Sequence, residues 1–301
     1  MIKRTLYFGN PSYLSKENDQ LKISVKDKTA AIHFVPIEDI GFVVLDNPQI
    51  TITHGLIQAL QSNNVAVLSC DTKHHPQGLM LPIEGHSVQT ERVRIQLGAS
   101  EPLKKQLWMQ TVTSKVKNQA AVLKRNGFES KKLEALIPRI KSGDPENVEG
   151  RAAAVYWGLV MNRNDFTRDR YGDMPNAHLN YAYAILRAAT ARALVGSGLL
   201  PVVGIFHRNK YNSYCLADDI MEPYRPFCDD LVISMVESGE IQQDDITKEH
   251  KMKLLRFLSS DVMIGNRKSP LMVAISRTTN SLYECYSGER RKILYPDFYE
   301  S

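Results

Sequence analysis

The chain has 301 residues, of which 43% are hydrophobic and 24% charged, ordinary values for a globular protein that argue against a mostly disordered chain. No apolar run reaches the roughly 18 residues that a membrane-spanning helix needs, and the length sets an expectation of about two domains. The net charge of +5 is uneven: residues 1–84 carry 7 basic and 8 acidic side chains, whereas residues 86–141 carry 12 and 4, a balance that suits a polyanionic partner, nucleic acid being the commonest.

The first ten residues contain no apolar stretch followed by small residues, so no secretory leader is expected and the expected compartment is the cytoplasm. Cys70, Cys215, Cys228 and Cys285 form no C-x-x-C pair, which fits reduced, structural thiols.

The first part reads as strands. Leu6 and Phe8 give a short apolar start. Leu21, Ile23 and Val25 alternate with Lys22, Ser24 and Lys26, the period of a half-buried strand. Ala31–Val35 and Ile40–Leu45 are apolar runs of strand length, His54–Gln61 has the spacing of one short helix, and Val65–Leu68 reads as a buried strand. Residues 71–78, with Pro76 and Gly78, open a polar linker. From residue 86 the period becomes helical, with Leu103, Leu107, Val112 and Val116 on one amphipathic stripe. Asp144 and Pro145 suit the N-cap and first position of a helix reaching about Met161. Further helices are expected over 176–195, 216–237, 248–259 and 270–286. The fold class is therefore α+β multidomain: a small β-sandwich-like domain over 1–72, a linker over 73–85, and a larger all-α domain over 86–301.

The residues able to carry chemistry lie in this second part. Glu149 shares a helix face with Ala152, Ala153 and Tyr156, small residues that permit close approach. His207 ends the apolar run Leu199–Phe206 at the edge of a polar loop, a place for a ligand or a general base. Asp218, Asp219, Glu222, Asp229 and Asp230 crowd five carboxylates around Arg225, which favours proton uptake or a cation. Asp219 and Glu222 are one helical turn apart, and Pro223 disfavours helical geometry at Glu222. On the residues alone, each of these also reads as a surface, capping or salt-bridged side chain.

The stretches Asn180-Tyr-Ala-Tyr-Ala-Ile-Leu, Gly198-Leu-Leu-Pro-Val-Val-Gly-Ile-Phe-His and Leu216-Ala-Asp-Asp-Ile-Met-Glu-Pro-Tyr-Arg-Pro, in this order, resemble the CRISPR-associated adaptation integrase, subunit one of the spacer-acquisition complex. The wording of the acidic segment looks most like the subtype that accompanies a single-protein effector nuclease. The resemblance implies a metal-dependent DNA endonuclease and integrase, with Glu149, His207 and Glu222 as catalytic metal ligands and Asp219 as a further acid near the metal. Many members have Asp where this chain has Glu222, and either can ligate. The implied ion is Mg²⁺ or Mn²⁺. The implied partners are double-stranded DNA (spacer precursor and CRISPR repeat), a second copy through the β domain, and a subunit-two dimer that completes a heterohexamer. Lys104, Lys105, Lys115, Lys117, Lys124 and Arg125 are the candidate phosphate contacts, with Arg163, Arg168 and Arg170 the next choice. Two other readings compete: a metal-dependent nuclease of branched DNA that joins no strands, and a DNA-binding architectural protein whose acids are structural.

Overall fold

The computed structural model describes residues 3–25, 31–161 and 166–299; Lys26, placed in the alternating run above, and Arg163 lie outside them. The chain divides into two compact units, Met1–Ser87 and Val88–Ser301.

In the first unit the strands are β1 (Arg4–Phe8), β2 (Ser12–Glu17), β3 (Gln20–Val25), β4 (His33–Pro36), β5 (Ile40–Leu45) and β6 (Thr51–Ile52); α1 (His54–Ser62) follows, then β7 (Ala66–Cys70) and β8 (Pro76–Met80). They form two four-stranded sheets, ordered β1-β5-β7-β8 and β4-β3-β2-β6. β1, β5 and β7 are parallel and β8 returns antiparallel. The central strand β5 is buried on both faces, which is why it reads as a continuous apolar run. Asn18 and Asp19 have φ of 48° and 56°, the doubly left-handed geometry of a tight type I′ hairpin between β2 and β3. Leu14 and Leu21 from one sheet, Phe8 and Val43 from the other, and Leu56 and Leu60 of α1 share one core. The expected linker over 73–85 contains a strand, because β8 extends the first sheet at its edge, where Pro76 needs no ladder donor.

The second unit contains α2 (Gln89–Leu97), α3 (Glu101–Arg125), α4 (Lys131–Glu134), α5 (Val148–Val160), α6 (Asn176–Gly196), α7 (Cys215–Met221), α8 (Arg225–Glu237), α9 (Lys248–Leu255), β9 (Asp261–Ile264), β10 (Arg267–Pro270) and α10 (Leu271–Ser287). It is therefore helical but not purely so. The β9–β10 hairpin turns at Gly265-Asn266, both at positive φ. α3 is the central helix, packing on α5, α8 and the 222–224 turn. Ser100 caps it by accepting from Leu103 N–H. The expected single helix over 216–237 is broken: α7 stops at Met221, a 3₁₀ turn covers Glu222–Tyr224, and α8 begins at Arg225. Among the described residues no helix is long and apolar enough to cross a membrane, and the four cysteines are unpaired.

Candidate active site

Three short turns carry the candidate residues onto α3. The first opens α5. The expected cap at Asp144 sits three residues early: Asn147 is the N-cap, and its side chain accepts from Gly150 N–H at 3.2 Å. Asp144 still serves this terminus from outside, its two oxygens accepting from Val148 N–H and Glu149 N–H at 2.9 Å each. Those donors have no partner within the helix, so the double bond fixes Glu149 in the first turn, with its side chain 19% exposed.

The second turn runs from Gly204 to His207 and folds over Asp219. The Asp219 carboxylate, 0% exposed, accepts from the backbone N–H groups of Ile205 (2.7 Å), Phe206 (3.0 Å) and His207 (3.2 Å), and pairs with His207 Nδ1 at 2.6 Å. Burial pushes Asp219 up, while the hydrogen bond that His207 Nδ1–H donates to Asp219 outweighs burial at His207 and raises the imidazole. With Nδ1 held by this carboxylate, the ring presents Nε2 as its second nitrogen. Phe206 stacks on buried Trp108, centroids 4.2 Å apart, and Trp108 also meets the His207 ring edge-on at 5.8 Å. Gly204 is required here by close approach: a Cβ would strike His207 O and lie 2.9 Å from Asp219 Oδ2.

The third turn carries Glu222. Before Pro223 it keeps helical angles, φ −51° and ψ −46°, so the expected bend is made by tightening to a 3₁₀ turn and not by an extended residue. Asn118 of α3 clamps this turn, donating to Pro223 O at 2.8 Å and Pro296 O at 2.9 Å. Glu222 is 3% exposed; Arg225 Nη2 lies 2.9 Å from its Oε1 and Lys115 Nζ 2.5 Å from its Oε2. The same Lys115 ammonium lies 2.7 Å from Glu149 Oε1. Two carboxylates from helices far apart in sequence thus meet on one cation. Burial alone would raise Glu222, but Arg225 and Lys115 together hold it below the usual range. Burial would likewise lower Lys115, and Glu222 and Glu149 overcome it and hold the ammonium above the usual lysine range.

His207 lies near enough for both glutamates to raise it further. Even so, among the described residues no three His, Cys, Asp or Glu side chains are closed around a metal-sized centre; the ammonium stands between the two glutamates. Asp219, expected as a further acid at the metal, is spent on holding His207 and its turn.

The remaining acids of the crowded segment have separate partners. Asp218 is bidentate to Arg187 and accepts from Asn212. Asp230 pairs with Arg125 and Asn126 at the surface. Asp229, 1% exposed, accepts from Tyr156 and Tyr183 Oη, and burial pushes it up to about 7 against those hydrogen bonds. Tyr183 in turn lies between the guanidinium groups of Arg168 and Arg225, at 5.1 and 4.9 Å.

The basic track changes most. Lys115 is buried in the site and is no surface phosphate contact. Lys104, Lys124 and Arg125 are paired with Glu101, Glu134 and Asp230. Lys105 and Lys117 are exposed and form no ion pair with another described residue. Lys117, Lys124 and Arg125 line one side of a groove of about 270 Å³ between α3, Ile137 and Phe298. Sequence reasoning missed the roles of Lys115, Asn118 and Gly204. The signal for Gly204 was present, a glycine three residues before the histidine.

A family model described as "CRISPR associated protein Cas1" matches residues 6–261. The CRISPR-associated endonuclease Cas1 of Neisseria meningitidis serogroup C (strain 8013) is 37% identical over 296 residues, covering 98% of this chain and 95% of that one. Among solved structures, a casposase bound to integration product superposes with a TM-score of 0.81 at 22% identity, covering 99% of this chain and 95% of the other. A CAS1 protein from Thermotoga maritima superposes with a TM-score of 0.76 at 14% identity, over 99% of this chain and 100% of that one. The structural likenesses carry the fold of both units, the sequence match runs almost end to end, and on these grounds the chain belongs to the Cas1 family of CRISPR-associated proteins.

Proposed function

We propose that this protein is a metal-dependent DNA endonuclease and integrase, which joins the 3′-hydroxyl ends of short foreign DNA fragments to a CRISPR repeat by transesterification. The observation that carries the reading is the meeting of Glu149 and Glu222 on one cation beside an imidazole whose Nδ1 is already held by a carboxylate. That donor set fits a divalent ion: Glu149, Glu222 and His207 Nε2 would hold Mg²⁺ or Mn²⁺, with the imidazole tilting preference toward Mn²⁺. When bound, such an ion polarises the phosphoryl oxygen and orients the reacting groups.

The chain's own residues position the donors. Asp219 keeps the His207 proton on Nδ1, Arg225 and Asn118 fix the turn of Glu222, and Asp144 fixes that of Glu149. In the joining step the incoming 3′-hydroxyl gives up its proton to solvent as its oxygen forms a bond to phosphorus, the repeat strand's own P–O bond breaks, and the released 3′-oxygen takes up a proton from solvent. No protein nucleophile is needed.

The substrates are double-stranded DNA, both the spacer precursor and the repeat. The exposed Tyr13 and Phe34 on the second sheet of the first unit offer apolar surface to a second copy, in line with the homodimer implied by the family. Two such dimers flanking a subunit-two dimer would complete the heterohexamer. An assay in Mn²⁺ that scores strand joining separately from nicking tests the reading. The wild-type chain joins strands; Glu149→Gln and Glu222→Gln abolish joining and nicking while DNA binding persists. Joining by the double variant removes the mechanism, and nicking without joining by the wild-type chain with its partner subunit reduces it to a nuclease.

A further inference from the structure

Lys115 is the unusual member of the site. It is a lysine on the central helix with its side chain 10% exposed, and its ammonium stands where the two glutamates converge. From the two distances, Glu149 Oε1 and Glu222 Oε2 are at most about 5.2 Å apart, so no more than a small closing movement brings them to the span of two oxygens across one bound Mg²⁺, whose bonds are about 2.0–2.1 Å. Lys115 Nζ is 2.5 Å from the buried Glu222 Oε2 and 2.7 Å from Glu149 Oε1, so one ammonium serves both carboxylates.

We propose that Lys115 is an internal counter-cation that holds the metal position between Glu149 and Glu222 in the metal-free protein and is displaced when the divalent ion binds. The inference rests on the metal site proposed above and adds to it an occupant, a competition and a movement.

The charges require it. Without an ion, Glu149 and Glu222 are balanced by Lys115 and Arg225, and the cluster is neutral. A divalent ion entering beside the retained ammonium and Arg225 would put four positive charges against two carboxylates, with two of the cations within contact distance of the same oxygens. One resident cation must go, and the anchoring decides which. Arg225 is fixed by Glu222 and by the Tyr183 ring face at 4.9 Å. Among the described residues, Lys115 has only the two glutamates as ion-pair partners, on a flexible four-carbon stem. Glu222 is 3% exposed and Glu149 19%, so the open side of the cluster, and the way out, is the Glu149 side. A displaced ammonium there reaches the more exposed side of the pair. Loading the ion thus turns a neutral cluster into a net positive one, able to receive the backbone of DNA.

Two measurements on the full chain, both without DNA, test this. Mn²⁺ affinity is read by electron paramagnetic resonance for the wild type and for Lys115→Met. The variant should bind Mn²⁺ at least tenfold more tightly, because no ammonium competes; equal or weaker binding overturns the competition. Acylation of wild-type Lys115 by a water-soluble amine-reactive ester is followed by peptide mass spectrometry. Lys115 should be protected without Mn²⁺ and react at least fivefold faster when Mn²⁺ saturates. Unchanged protection with the ion bound overturns the displacement, and this arm needs no variant to fold. Failure of the metal site itself looks different: neither wild type nor Lys115→Met binds Mn²⁺, and both proposals fall together.

Discussion

Asp219 offers the sharpest test of how the site is built, because its carboxylate is fully buried and yet organises the histidine. Replacing it by Asn keeps shape and one acceptor oxygen. The carboxylate serves four donors, three backbone N–H groups and His207 Nδ1; an amide oxygen serves about two of them, and the new NH₂ group faces the rest. Hydrogen bonds to a charged group contribute about 1.5–3 kcal/mol each, so losing two costs about 3–6 kcal/mol. Part is recovered, because burial of the carboxylate is itself unfavourable, as the raised Asp219 shows. The expected loss is therefore about 3 kcal/mol, a large part of the 5–15 kcal/mol that holds a typical domain together. The imidazole, with its tautomer no longer fixed, should lose about 10–100-fold in Mn²⁺ affinity, the usual effect of removing a carboxylate behind a ligating histidine. Urea unfolding and Mn²⁺ calorimetry on Asp219→Asn read both quantities. A stability within 0.5 kcal/mol of wild type together with an affinity within about twofold would refute the reasoning, since the four hydrogen bonds would then hold nothing that matters.

Two further outcomes follow from the same packing. Gly204→Ala places a methyl group against His207 O and 3.1 Å from Cys215 Cβ; backbone cannot yield as a side-chain tip can, so unfolding free energy should fall by about 1–3 kcal/mol, Mn²⁺ affinity should fall with it, and wild-type behaviour in both would show the turn to be loose. Asp229 has its folded pKa raised to about 7 by burial, so the folded state keeps a proton that the unfolded chain has lost, and this contribution to stability falls as pH rises from about 4 to about 7. Urea titrations of wild type and Asp229→Asn over that window should diverge by about 1.4 kcal/mol per pH unit; parallel curves would mean that Asp229 is ionised throughout.

Where the sequence was legible, one face of an element was wet and the other dry. α1 and α10 repeat their apolar residues at the helix period and fold as read; β3 forms where its alternation predicts, with Leu21 buried and Val25 left exposed. β2 gave no signal because Leu14 is its one fully buried apolar side chain, and β8 was hidden because Pro76 and Gly78 are tolerated at an edge but read as a linker. His207, Asp219, Glu222 and Glu149 stood out as candidates in the string, but only the resemblance set them apart as metal ligands from ordinary capping or salt-bridged side chains. What they touch was not visible: five carboxylates in thirteen residues look alike as a string, yet Asp219 holds the nearby 205–207 turn, Asp218 pairs with Arg187, Asp229 accepts from Tyr156 and Tyr183, and Asp230 pairs with Arg125.

α3 shows why charge counting fails inside such a unit. Lys115 and Lys117 are two residues apart, about 200° around a helix, so one face puts the first against Glu149 and Glu222 while the other puts the second in solvent. The helix is central, with Thr111, Asn118 and Gln119 buried as well as its aliphatic residues, and a polar residue on it is no marker of surface. The basic stretch 86–141 must therefore be divided before it predicts DNA binding. Lys104, Lys124 and Arg125 already have carboxylate partners, which discounts what each adds toward a phosphate. Lys105 and Lys117 make no contact-distance ion pair among the described residues, Asp297 acting on Lys117 only from farther off, so they are the side chains whose counter-ions DNA would displace. Each phosphate contact steepens the slope of log affinity against log salt by about 0.9. Lys105→Gln with Lys117→Gln should flatten it by up to about 1.8 on any duplex sequence. Lys104→Gln with Lys124→Gln should flatten it less, because these two lysines already share their charge with Glu101 and Glu134. If the second pair flattens the slope more than the first, the ion pairs of α3 open on DNA and exposure in the free protein is the wrong guide to its phosphate contacts.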